Sequence, residues 1–219
     1  MRLLLFIAFL SRGNAGDWPQ FLGPQRDGKA AADEKLITEV PDGGFKTLWK
    51  RSCGAGFAGP VVRGGRVVLF HRTGDENTVE AMEADTGKVL WKTGWATAYR
   101  DDFGFDEGPR SCPAIDGGVV YCYGADGTLA ALALEDGKLL WQKDLAAELG
   151  CARGCFGRPC SPLVTGGLVL LAPGGEGAGV AAFDAKKGGL KWKGLDTEAG
   201  YAWPILMHPP QGPRGGFFN

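Results

Sequence analysis

Apolar residues along the chain gather in short runs parted by glycine pairs and by Asp/Glu-x-Gly turns, and one succession of runs occurs three times. The first copy passes from Gly59-Pro60-Val61-Val62 through Gly64-Gly65-Arg66-Val67-Val68-Leu69 to Ala81 and Gly87-Lys88-Val89-Leu90-Trp91. The second passes from Cys112-Pro113-Ala114-Ile115 through Gly117-Gly118-Val119-Val120-Tyr121 to Ala131 and Gly137-Lys138-Leu139-Leu140-Trp141. The third passes from Ser161-Pro162-Leu163-Val164 through Gly166-Gly167-Leu168-Val169-Leu170 to Ala182 and Gly188-Gly189-Leu190-Lys191-Trp192. In every copy an alanine lies ten residues, and a glycine four residues, before the tryptophan. The tryptophans are 50 and 51 residues apart, a period at the upper end of those produced by propeller blades.

Each copy decodes into four strands. The run after the proline, the Gly-Gly turn and the Val/Leu-rich run form a hairpin, and the proline is tolerated because it opens its strand. Val79 to Ala84 and Leu129 to Leu134 predict a third strand. Asp85-Thr86-Gly87 and Glu135-Asp136-Gly137 close it as turns, and Lys88 to Lys92 and Leu139 to Lys143 predict a fourth. The expected fold class is all-β, an incomplete β-propeller of about four four-stranded antiparallel blades. A single blade cannot bury both faces, so blades must stack, with Trp49, Trp91, Trp141 and Trp192 as structural wedges between neighbours. Two partial copies flank the three: Phe45 to Lys50 reads as a fourth strand, and Gly200 to Ile205 as the opening strand of a further blade.

Boundaries follow from these runs. Met1-Arg2, the apolar stretch Leu3 to Leu10 and the small residues Gly13-Asn14-Ala15 are in the order of a secretory signal, residues 1–15. The stretch is shorter than the roughly 20 apolar residues a membrane span needs. Residues 16–44 form an N-terminal extension, 45–207 the repeats and 208–219 an irregular tail rich in proline and glycine. Export, periplasmic or secreted, is expected, and it permits disulfides among the six cysteines. Half-blades at both ends leave unpaired strand edges, which predicts a truncated reading frame or self-association through those edges.

Composition agrees with a turn-rich β protein: 37 glycines and 13 prolines among 219 residues, with 44% hydrophobic residues, too apolar for disorder. The 24 basic and 25 acidic residues supply no basic field, so nucleic acid and anionic membrane are not expected partners.

Candidate chemistry is sparse. The two histidines are His71, which ends an apolar strand and reads as structural, and His208. No Gly-x-Ser-x-Gly elbow is present, and no catalytic residue is assigned. Cys151-x3-Cys155-x4-Cys160 lacks zinc-site spacing and reads as a loop containing a disulfide. Asp116-Gly117-Gly118 taken as a three-residue loop would set Cys112 opposite Cys122, a second possible disulfide, the alternative being two reduced, buried cysteines. Asp101, Asp102 and Asp106 could serve calcium, but their spacing matches no standard loop and a solvated inter-blade loop is the simpler reading. The residues before each strand-opening proline face the channel mouth, so Phe57, Arg110, Arg158 and Tyr201 form the expected rim for a protein or peptide, a glycan or an anionic ligand. The alternative has the rim arginines paired with the three aspartates.

Ala81 to Trp91, with Glu83 in an aspartate's place, resembles the blade motif of the pyrroloquinoline-quinone-like β-propeller repeat proteins, which include a propeller-type outer-membrane assembly lipoprotein. Ala182-Phe183-Asp184 keeps the aspartate while Lys187 replaces the motif's threonine, and the second copy has Ala133 instead of the acid. The opening Asp17-Trp18-Pro19-Gln20-Phe21-Leu22-Gly23-Pro24-Gln25-Arg26-Asp27-Gly28 is similar to the start of exported planctomycete-type members. The resemblance covers about residues 17–207 and implies the fold; its members range from dehydrogenases to scaffolds without a cofactor. A dehydrogenase member implies about eight blades, a calcium ion, a catalytic aspartate and a disulfide of adjacent cysteines over the quinone; this chain has no adjacent cysteines. The expected function is an exported non-catalytic binding or assembly module without a cofactor. The alternative is a fragment of a quinone-dependent oxidoreductase using pyrroloquinoline quinone with calcium.

Overall fold

The computed structural model describes residues 16–34, 37–151, 154–207 and 214–216. The expected signal, residues 1–15, and His208 lie outside the described residues. Three four-stranded antiparallel sheets follow one another. The first is β1 (Val61–Arg63), β2 (Arg66–Thr73), β3 (Glu76–Glu83) and β4 (Val89–Ala96). The second is β5 (Ala114–Asp116), β6 (Val119–Tyr123), β7 (Thr128–Ala133) and β8 (Leu139–Asp144), followed by a short helix α1 (Leu145–Leu149). The third is β9 (Leu163–Thr165), β10 (Leu168–Leu171), β11 (Val180–Asp184) and β12 (Leu190–Gly194). The first strands of neighbouring sheets touch, β1 with β5 and β5 with β9, so these strands are innermost. These are blades of an incomplete β-propeller.

Period-2 alternation in the middle blade builds the two main cores. Val120, Cys122, Ala130 and Leu132 face the first sheet and pack with Val68, Phe70, Val79 and Trp91. Their neighbours Tyr121, Tyr123, Leu129 and Ala131 face the third sheet and pack with Val169, Leu171, Phe183 and Leu145. A strand covered on both faces carries few polar positions, hence the nearly unbroken apolar β6 and β7.

The tryptophan pattern has a mechanical basis. Ala81, Ala131 and Ala182, all fully buried, pair with Trp91, Trp141 and Trp192, and in each sheet the register shifts just beyond that pair. Leu90, Leu140 and Lys191 are the extra residues of these bulges, which twist the outer strand and throw the next side chain, the tryptophan, toward the following blade. Trp49, Trp91 and Trp141 donate their indole N–H to the carbonyls of Ala84, Leu134 and Ala185, at 2.8, 2.9 and 3.0 Å. Their rings lie over Gly87, Gly137 and Gly188, where any Cβ would strike the ring. Those glycines have φ of 68°, 73° and 70°, so the residue four before each tryptophan serves the previous blade's tryptophan and its own turn. Trp192 departs from the expected wedge role and is 44% exposed, with no turn seated over it among the described residues.

Other expectations need correction. Phe45 to Lys50 forms no strand, having no ladder partner among the described residues; Trp49 docks it against the Ala84 carbonyl and Gly87. The expected further strand is short, β13 (Ile205–Met207), and pairs with β14 (Arg214–Gly216), so the 208–219 tail is not wholly irregular. Backbone pairing of this kind needs no apolar alternation, which is why the sequence pattern missed it. All six cysteines are free. The β5–β6 turn is Gly117-Gly118 alone, with Asp116 paired to Val119. That one-residue slip removes Cys112 from the position opposite Cys122 and puts the two on opposite faces. Cys112 Sγ instead accepts the Gly59 N–H at 3.2 Å. In the Cys151, Cys155, Cys160 loop, Cys160 packs in the core and accepts from Ala172 N at 3.3 Å, while Cys155 points to solvent.

Candidate functional site

The connections that enter the innermost strands converge at one end of the channel. Phe57 precedes β1, Phe103 and Phe105 lie between β4 and β5, Phe156 precedes β9, and Tyr201 precedes β13. Phe103 and Phe105 are 6.2 Å apart between ring centroids, each is within 6.2 Å of Phe156, and Phe156 meets Tyr201 edge-on at 6.0 Å. Phe57, Phe105, Arg110 and Phe156 line an almost wholly apolar pocket of about 240 Å³. Phe57, Phe103, Phe105 and Tyr201 are all exposed, an arrangement uncommon on a soluble surface away from a binding site.

The acidic loop holds this mouth in shape. Asp101 Oδ2 accepts the amides of Phe103 and Phe105 at 3.2 and 2.8 Å, and its Oδ1 meets Arg110 at 3.0 Å. The Phe105 amide and the Arg110 charge hold the Asp101 carboxyl below the usual carboxylate range. Asp106 accepts from Gly108 N at 2.6 Å and from Gly56 N at 3.2 Å, tying the loop to the segment before β1. Arg110 also donates to the carbonyls of Gly108 and Asp106 and lies over the Phe57 and Tyr99 rings at 5.4 and 5.1 Å. The oxygens of Asp101 and Asp106 thus serve amides and a guanidinium.

The structure brings three of the four expected rim residues to this mouth. Phe57 and Tyr201 are exposed there and Arg110 sits beneath them, its side chain 7% exposed and paired with an aspartate. Arg158 lies elsewhere, buried in a cleft of about 390 Å³ with Asp126 and Asp144, and donates to the carbonyls of Asp126 and Cys151. Sequence reasoning missed Phe103, Phe105 and Phe156. The available signal was aromatic residues inside polar, glycine-rich loops, but the three loops differ in length and the repeat offers no register for them. Beside the mouth, a cleft of about 430 Å³ carries Glu176, Asp196 and Glu198. It adjoins Tyr201 through Gly154.

His71 is structural. It is buried, its Nε2 faces Glu80 Oε1 at 2.6 Å and its Nδ1 accepts from Gly54 N at 2.9 Å. Glu80 in turn receives Arg51 at 2.7 Å.

Comparison with known proteins places this geometry in context. The family model described as outer membrane protein assembly factor BamB matches residues 75–208. The chain is 28% identical over 198 residues to the dehydrogenase subunit of a quinone alcohol dehydrogenase from Gluconobacter oxydans, covering 83% of this chain and 25% of that protein. It is 27% identical over 143 residues to outer membrane protein assembly factor BamB of Yersinia pestis, covering 64% and 34%. The quinohemoprotein alcohol dehydrogenase of Comamonas testosteroni superposes with TM-score 0.55 at 23% identity, over 83% of this chain and 28% of that one, a likeness of fold. The chain thus spans about a quarter to a third of the length of these relatives. Among the described residues no helix is long and apolar enough to cross a membrane.

Proposed function

The chain belongs to the family described as outer membrane protein assembly factor BamB, and we propose that it is an exported, non-catalytic propeller module that binds an extended segment of another protein at the aromatic mouth. The observation that carries this reading is the pocket of Phe57, Phe105, Arg110 and Phe156, whose roughly 240 Å³ suits one apolar side chain. A rigid aromatic pocket anchoring one side chain is how compact interfaces gain most of their affinity. The adjoining Glu176, Asp196 and Glu198 favour basic residues next to that anchor.

The second reading, a piece of a quinone-dependent dehydrogenase, is favoured by the relative that matches 83% of the chain. The residues at the mouth do not suit pyrroloquinoline quinone with calcium. Asp101 and Asp106 are engaged by amides and Arg110, and Arg110, the cation a polycarboxylate quinone would seek there, is already paired.

A fluorescein-labelled Lys-Leu-Phe-Lys peptide tests both readings. Saturable binding that weakens at least tenfold in Phe156→Ala and falls with added salt is expected. A glycan array distinguishes a sugar ligand at the same rings. Saturable tryptophan quenching by pyrroloquinoline quinone with calcium, in the absence of peptide binding, would overturn the proposal.

A further inference from the structure

Residues 17–28 form neither helix nor strand, yet they reach the innermost strands of the first two blades and the chain that enters the third. Trp18 and Val62 of β1 exchange both backbone hydrogen bonds at 2.9 Å. The Pro19 carbonyl accepts the Ile115 N–H of β5 at 2.8 Å. Arg26 donates from Nη1 to Pro162 O at 2.6 Å and from Nη2 to Ser161 O at 3.0 Å, on the chain that enters β9. Asp17 accepts the Gly64 N–H at 2.8 Å, and the Phe21 ring lies 4.3 Å from that of Trp203. One segment thus covers inner edges that would otherwise line the channel unpaired.

The segment has the features of a bound peptide. Arg26 is 5% exposed and donates to the Gln20 side chain and to two backbone carbonyls, with no carboxylate partner among the described residues. Burial pulls its pKa down to about 10. A planar guanidinium fork spanning two successive carbonyls is a geometry that lysine cannot reproduce. Leu22 and Arg26 hold φ of 60° and 55°, a conformation that non-glycine residues keep only where surrounding contacts over-determine it. Internal bonds Gly23 N to Gln20 O and Gly28 N to Leu22 O fold the stretch between Trp18 and Arg26 so that both ends reach their receptors.

We propose that the inner-strand groove is a peptide-binding site that pairs with two successive backbone units and takes an arginine eight positions after the first of them, and that residues 17–28 fill it in cis. The groove takes the same element in trans when the cis copy is weakened. This site is separate from the aromatic mouth, and either can fail without the other.

The test uses the full chain and a fluorophore-labelled synthetic peptide of residues 16–29. The unsubstituted chain is expected to bind it negligibly, because the tethered copy competes at an effective concentration of roughly millimolar. A Trp18→Ala/Arg26→Ala chain is expected to bind it saturably, and at least tenfold less tightly when the peptide itself carries Arg26→Ala. Equal binding by both chains, or none by a folded double variant, overturns the proposal. Should the double variant not fold, hydrogen exchange on Arg26→Lys decides. Exchange at the Val62 and Ile115 amides at least tenfold faster, with Leu132 unchanged, supports a separable segment. Three amides that move together, or none that moves, shows that the segment is an inseparable part of the fold and overturns it.

Discussion

Trp91 and Trp192 end two copies of one sequence pattern, pair with equivalent buried alanines and follow equivalent bulges, yet one is 8% and the other 44% exposed. Each blade therefore aims its own tryptophan, and only the next blade's turn makes that aim stabilising. At Trp91 the turn supplies the Leu134 carbonyl and the bare backbone of Gly137. Stability in such a stack belongs to interfaces between repeats more than to the repeats themselves.

The largest test removes each indole. Trp91→Ala is expected to cost about 3–5 kcal/mol, the range for a large aromatic lost from a core, and Trp192→Ala less than about 1 kcal/mol, as for a surface site. Urea denaturation midpoints measure both, and equal losses would break the contrast. The receptor side is next. Gly118→Ala and Gly137→Ala both force alanine into positive φ, at 79° and 73°, but nothing lies near a Cβ at Gly118 whereas the Trp91 ring lies against one at Gly137. The first should cost about 1–2 kcal/mol from the backbone alone, and the second about 1–3 kcal/mol more from overpacking. The same denaturation series would show equal costs if the ring were not seated there.

The smallest effect separates the blades from the mouth. Asp101 holds the Phe103 and Phe105 amides as a carboxylate, and its pKa in the fold is below the usual value. Its contribution is therefore present above the ordinary carboxylate range and is lost as pH falls through that range toward the lower folded value. Protection of the Phe103 and Phe105 amides, measured relative to their intrinsic exchange rates, should fall on acidification below about pH 4, while β7 amides stay protected. Uniform loosening would mean that the mouth and blades are one cooperative unit.

Much of this architecture was legible in the chain. The third and fourth strands, the glycine-pair hairpins and the tryptophan period follow from alternation and turn chemistry, which act between residues close in sequence. The alanine ten before each tryptophan is explained by a cross-strand pair, again local. The functional surface was less accessible. Phe57 and Tyr201 were identifiable because they stand just ahead of the repeat's first strand, whereas Phe105 and Phe156 sit at unmatched depths in loops of unequal length. The Cys112 and Cys122 pairing failed on one residue of loop length, since a hairpin shifted by one turns every later side chain to the other face.

The sequence by itself determined the blade, its strand order within the repeat, and the positions that must be small or aromatic, because period-2 burial and tight turns are set by near neighbours. Only the tertiary structure decided that residues 17–28 run from the inner strands of two blades to the entry of the third, that the Arg110 guanidinium packs on the Phe57 and Tyr99 rings, and that Trp192 stays exposed. Those outcomes depend on segments far apart in the chain meeting in space, and no local period encodes where a loop without repeats will come to rest.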